Sequence, residues 1–304
     1  MEGFVSHISL AGIFPPIATP FKANEDVDFD HLQSNLERWN TEPLSGYVAG
    51  GSNGEFVFLT LDERVEVVHR VRQAAPRDRL VIAGSGMESA RETIDLTKRM
   101  AQVGADVALI VTPNYYKSRM SVPVLERYFR QVAEASPIPV MIYNFPANTG
   151  LDMPAQAIIS LAQHPNIIGL KESGGDVTKI GFMAHETRQA DFQVVAGSAG
   201  FFLGALSVGA VGCVPALGNF AGNKIAQLRA AFKRGDLDTA RAVQLPLIEV
   251  NTAVTARFGV PGLKAAMDMT GYYGGPVRSP LMPLGEADMA ELRRILIKSG
   301  VLLT

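Results

Sequence analysis

The chain has 304 residues, 47% of them hydrophobic, which suffices for one large core, since a chain of this size buries roughly 75% of its unfolded surface. Its 28 basic and 30 acidic residues leave a formal net charge of −2 with no charge blocks, so it lacks an electrostatic footprint for nucleic acid or an anionic membrane. Cys213 is the single cysteine, which excludes an intramolecular disulfide and any multi-cysteine metal site.

A small molecule is therefore the expected partner. Residues 1–7 lack the basic region and apolar core of a secretory signal and the arginine-rich character of a mitochondrial presequence, and no apolar run approaches a membrane span in length. A cytoplasmic setting is expected, or the mitochondrial matrix for a chain already trimmed. No linker-like tract divides the sequence, which predicts one barrel-sized unit over 1–222 with a helical extension over 223–304.

Short apolar runs rich in β-branched residues alternate with segments of helical period, the pattern of a parallel sheet with crossover helices. The first pair is a strand at 13–19 and a helix at 30–39, whose Leu32, Leu36 and Trp39 share a face. The second is 46–50 with a helix at 61–74, entered through the capping-box pattern Thr60-Leu61-Asp62-Glu63. Then come 80–84 with 89–101, and 106–112 with 122–135, where Pro123 sits at the helix start and its missing donor costs nothing. The fifth strand is 139–144, followed by a helix at 154–163. The sixth is Ile167-Ile168-Gly169-Leu170-Lys171-Glu172-Ser173, followed by 177–187. Strands at 193–196 and 211–214, with a short helix at 200–207 between them, complete eight units. Further helices are expected at 223–233, 236–253 and 286–298.

Eight such units predict an α/β fold, a (β/α)8 TIM barrel with additional C-terminal helices, with its active site at the carboxyl ends of the strands. A doubly wound open sheet shows the same alternation, but no switch-point motif accompanies it here. The barrel demands polar residues after each strand. They are present: Thr19, Gly51-Ser52-Asn53-Gly54-Glu55, Gly84-Ser85-Gly86, Thr112-Pro113-Asn114-Tyr115, Tyr143-Asn144, Lys171-Glu172-Ser173 and Gly197-Ser198.

Of the nine lysines, only Lys171 ends an apolar strand. An amine in a water-poor pocket loses charge stabilisation, and its free base can attack a ketone carbon. The competing reading is a structural ion pair with Glu172. Tyr143 ends the preceding strand, so its phenol is expected beside Lys171 as a proton carrier, unless it is a core tyrosine with a satisfied hydroxyl. The 51–55 turn offers backbone N–H groups and two hydrogen-bonding side chains to a carboxylate, or is an ordinary turn; Glu55 reads as a first-turn helix residue. Gly84-Ser85-Gly86 lacks the spacing of a nucleotide loop. The five histidines show no metal-ligand spacing, and the methionines read as core filler.

GSNGE at 51–55, Tyr-Asn-x-Pro at 143–146 and Lys-Glu-Ser at 171–173 together resemble the dihydrodipicolinate synthase and N-acetylneuraminate lyase superfamily, over nearly the whole chain. Within it, GSNGEF at 51–56, AQVGAD at 101–106, PANTGLD at 146–152, SGGDVT at 173–178, DFQV at 191–194, GSAGF at 197–201 and GYYGGP at 271–276 look like those of 4-hydroxy-2-oxoglutarate aldolases. The resemblance implies a class I aldolase cleaving 4-hydroxy-2-oxoglutarate to pyruvate and glyoxylate without cofactor or metal. It implies Lys171 as the Schiff-base residue and Tyr143 as acid/base. Ser52 and Asn53 would be on the substrate carboxylate, with Asn148 and Ser173 near its distal end. Gly197, Ser198 and Val214, at the ends of the seventh and eighth strands, complete the candidate substrate contacts. Tyr115 would join Ser52 in a hydroxyl relay from a neighbouring subunit, within a homotetramer that is a dimer of dimers. The synthases have two threonines where this chain has Ser52 and Asn53, and an arginine where it has Asn148. A synthase joining pyruvate to aspartate semialdehyde, an aldolase or dehydratase for 2-keto-3-deoxy sugar acids, and a non-catalytic keto-acid-binding barrel are the other readings.

Overall fold

The computed structural model describes residues 8–303, so the reading of residues 1–7 lies outside it. Seven parallel strands form one sheet in chain order: β1 Gly46–Ala49, β2 Leu80–Gly84, β3 Val107–Val111, β4 Val140–Asn144, β5 Ile167–Glu172, β6 Gln193–Ala196 and β7 Gly212–Cys213. The segment at 13–19 occupies the eighth place without forming a regular ladder. Ile13 bridges Cys213 on one side and Pro16 bridges Val48 on the other, both parallel. Phe14 N donates to Cys213 O at 2.9 Å, and Val48 N donates to Pro15 O at 2.9 Å. Pro15 and Pro16 have no N–H to give, so the ladder is broken while the barrel still closes.

The strands are short and buried on both faces, as expected where helices cover a parallel sheet. One cluster, including Phe14, Val48, Met141, Tyr143, Val195 and Val214, fills the barrel. The larger cluster lies between strands and helices.

Eight helices of six residues or more alternate with the strand positions among the described residues: Phe29–Trp39, Leu61–Ala74, Ala90–Gln102, Val122–Ala135, Ala155–Leu161, Val177–Glu186, Phe202–Ser207 and Gly222–Lys233. The capping box at Thr60 forms in full, with Glu63 N donating to Thr60 Oγ1 at 3.2 Å and Thr60 N to Glu63 Oε2 at 2.8 Å. Beyond the ring run Leu237–Thr252, a π-helical turn Ala253–Arg257, Gly259–Met269 and Glu286–Lys298. Helix Gly259–Met269 has no clear amphipathic signature in the sequence, and Gly259, Pro261 and Gly262 lower its local propensity. It forms because tertiary packing holds it, burying Leu263, Ala266 and Met267.

Candidate active site

Lys171 reaches the barrel interior through an irregularity in its strand. Val140 pairs with Ile167 but Met141 pairs with Gly169, which leaves Ile168 as an extra residue on β5. From Gly169 onward the register places Lys171 beside Tyr143 on one side and Val195 on the other, both members of the barrel-filling cluster. Glycine is required at 169, because a Cβ there would lie 2.5 Å from Gln193 O and 2.7 Å from Leu10 Cδ1.

Lys171 is 3% exposed, and its Nζ lies 3.8 Å from the centroid of the Tyr143 ring. Tyr143 is in turn stacked on Phe145 at 5.3 Å and 13°. The amine thus rests on an aromatic face, with no carboxylate of the described residues paired to it. Glu172 is not its partner. That carboxylate lies on the other face of β5, where it accepts from Asn144 Nδ2 at 2.9 Å and Gly174 N at 2.6 Å and faces Lys179 Nζ at 3.6 Å. Burial pushes the Glu172 carboxyl up from its usual value against the pull of Lys179. Asp152 stays below its usual value despite partial burial, because Lys179 and Asn144 both bind it. This network on the outer face locks the tips of β4 and β5 together, which fixes Tyr143 and Lys171 relative to one another.

The 51–55 turn lies across the mouth. Ser52–Gly54 is a single 3₁₀ turn, and Thr19 Oγ1 donates to Gly54 O at 2.7 Å. Asn53 Nδ2 is buried without a partner, a donor left for an acceptor that the chain itself does not supply. Glu55 is not in the first turn of a helix as expected. It adopts φ 56° in the left-handed region between two 3₁₀ turns, and its carboxylate is buried against Lys264 Nζ at 2.6 Å while accepting Arg278 N at 2.9 Å. Burial lowers the Lys264 pKa, and Glu55 partly restores it. The C-terminal extension therefore holds the turn from behind.

A small cleft opens at this mouth, lined by Ser52, Phe56, Arg64, Val111 and Tyr143 with Gly50, Gly51, Gly84 and Gly86. Lys171 is outside this lining and adjoins it through Tyr143. The glycines of 84–86 serve close packing, since a Cβ on Gly84 would lie 2.1 Å from Gly50 O.

The remaining candidates scatter more widely. Ser173 Oγ lies where a Cβ on Gly197 would stand, at 1.9 Å, so these two are in contact at the β5 and β6 tips. Ser198 is engaged otherwise, its hydroxyl donating to Asn251 Oδ1 at 3.1 Å and accepting from Gly200 N at 3.2 Å. Val214 is buried in the barrel-filling cluster. Asn148 is exposed on the one-turn helix Pro146–Thr149 after β4. Tyr115 is 77% exposed and does not line the pocket of its own chain. Two buried charged groups, Arg64 and Lys264, were not singled out from sequence; Thr112, named among the strand-end residues, is buried and its hydroxyl has no partner.

Fold and site together define a barrel enzyme of the carbon–carbon lyase class. The family model described as Dihydrodipicolinate synthetase family matches residues 9–299, and the chain belongs to that family. It is 34% identical over 291 residues to a 4-hydroxy-tetrahydrodipicolinate synthase of Methanoculleus marisnigri, covering 95% of this chain and 99% of the relative. A dihydrodipicolinate synthase from Bacillus anthracis superposes with a TM-score of 0.91 at 30% identity, over 95% of this chain and 98% of that one. YagE, a prophage protein of the dihydrodipicolinic acid synthase family from E. coli K12 solved with pyruvate, gives 0.90 at 31% identity over 96% and 99%.

Proposed function

We propose that this enzyme forms a Schiff base between Lys171 and a pyruvate-type 2-keto acid. The observation carrying this is the buried Nζ of Lys171, 3.8 Å from the Tyr143 ring and facing away from Glu172. The preferred substrate in this reading is 4-hydroxy-2-oxoglutarate. Lys171 attacks C2 and water leaves, giving an iminium. Tyr143 takes the C4 hydroxyl proton, the C3–C4 pair moves into an enamine, and glyoxylate departs. Protonation at C3 and hydrolysis then release pyruvate. The iminium is the electron sink, so the reaction calls on no cofactor or metal. Ser52 and Asn53 hold the C1 carboxylate, and the unpartnered Asn53 Nδ2 supports that assignment. Ser173, Gly197 and Asn148 face the distal end, with Ser198 and Val214 shaping the wall. Tyr115 reaches the site of a neighbouring chain in a homotetramer, and its exposure is consistent with that. We place the enzyme in the cytoplasm.

The neutral Asn148, where the synthases of the resemblance carry arginine, favours this substrate over one needing a cation at the loop. The names of the relatives favour a second reading, the condensation of pyruvate with aspartate semialdehyde.

Borohydride with pyruvate is expected to leave a reduced adduct on Lys171 in the native protein and in Tyr143→Phe, whose turnover should fall about 10²–10⁴-fold. An unmodified Lys171 peptide would sink the Schiff base. Side-by-side kcat/KM values separate the substrates, and a synthase rate above the 4-hydroxy-2-oxoglutarate rate establishes the second reading instead.

A further inference from the structure

We propose that Arg64 supplies the fixed positive charge for the substrate carboxylate at the Ser52-Asn53 turn, an inference that rests on the carboxylate assignment above. Arg64 projects from helix Leu61–Ala74 and is 3% exposed. Its Nη2 donates to Gly84 O at 2.7 Å and Gly86 O at 3.4 Å, its Nη1 to Met87 Sδ at 2.9 Å, and its plane lies 5.0 Å from the Phe56 centroid. Its Nε is buried with no partner. No carboxylate of the described residues pairs with it. A buried guanidinium ordinarily has a carboxylate or a phosphate, because removing the charge from water is costly without one.

All its partners here are neutral, so a whole positive charge remains on the wall that also carries Ser52 and Tyr143. The other cation at the turn, Lys264, is cancelled by Glu55 at 2.6 Å. Ser52 and Asn53 are uncharged donors, and a carboxylate held by them alone has no fixed counter-ion before the Lys171 iminium forms beside it. Arg64 meets that need. From a buried position, an uncancelled charge acts over several ångströms. Burial lowers the Arg64 pKa only to about 10, so it stays charged at neutral pH. Arg64 acts through its field on a carboxylate that others touch, which makes it a positioning residue.

The test compares pyruvate with methyl pyruvate, the same ketone without the charge, by the concentration giving half-maximal borohydride trapping on Lys171. The native protein is expected to take pyruvate at a concentration about tenfold or more below methyl pyruvate. Arg64→Met is expected to raise the pyruvate value about tenfold and leave methyl pyruvate within about twofold, while Arg64→Lys, keeping the charge, stays near the parent. Equal weakening of both ketones in Arg64→Met means a brace, not a charge, and overturns the inference. So does a native protein that does not discriminate, or an Arg64→Lys variant that loses pyruvate selectivity. These last two arms decide the matter where Arg64→Met does not fold. An absent adduct in the native protein overturns the Schiff-base reading and this inference with it. An adduct indifferent to Arg64 overturns the inference alone.

Discussion

The thiol of Cys213 lies in β7, in the barrel wall, where burial pushes its pKa well above the ordinary 9.0 against the opposing charge of Lys171. The folded state thus holds that proton more tightly than the unfolded chain. Its contribution to stability is complete below the unfolded value and is lost as pH rises beyond 9.0. At pH about 8, iodoacetamide is expected to spare Cys213 in the native protein and to alkylate it in urea. Equal rates in the two states would contradict a sealed wall. The same burial explains which site residues were legible. Lys171 stood out because a charge at the tip of an apolar strand contradicts its surroundings, and Tyr143 followed from adjacency. Arg64 did not, because a charged residue in a helical pattern reads as a solvated face, and nothing local says that its face turns toward the strand tips.

The strand and helix periods located the repeating elements well because parallel strands buried on both faces are uninterrupted apolar runs. Two features escaped. The extra residue at Ile168 leaves no mark in composition, yet it turns Lys171 inward; the role of Gly169 appears only when Gln193 and Leu10 are brought against it. Helix Gly259–Met269 was hidden by its glycines and proline, and with it Lys264. That lysine is expected to matter for stability more than any surface charge. Lys264→Met strands Glu55 without a counter-charge and should cost about 3–5 kcal/mol in chemical denaturation, whereas pairing it with Glu55→Gln should recover most of the loss. A single variant as stable as the parent would show that the pair holds nothing.

At the scale of the whole molecule, Tyr115 and Tyr116 stand 77% and 68% exposed, edge to face at 5.1 Å. Their loop is pinned by Glu88, whose carboxylate accepts Asn114 N and Tyr115 N at 3.0 Å each. If Tyr115 completes a neighbour's site, Lys171→Ala and Tyr115→Phe chains should each be impaired alone. Refolded together in equal amounts they should regain about a quarter of the parental sites, because half the pairs are mixed and each mixed pair has one intact site. No gain on mixing would assign Tyr115 to its own chain or to no site.

The seam between β7 and β1 has a further consequence, for synthesis rather than catalysis. Ala18 N finds its acceptor on Asn219, 201 residues later, and Phe14 finds its own on β7. At about 5–20 residues per second, the leading segment waits roughly 10–40 s on the ribosome for the strand that receives it. During that interval the nascent sheet is open at both edges, and the 51–55 turn still lacks Lys264 and Arg278, which hold Glu55 in the finished fold. The barrel therefore closes only after β7 has emerged, and the form with two exposed edges is the chain that still awaits that strand.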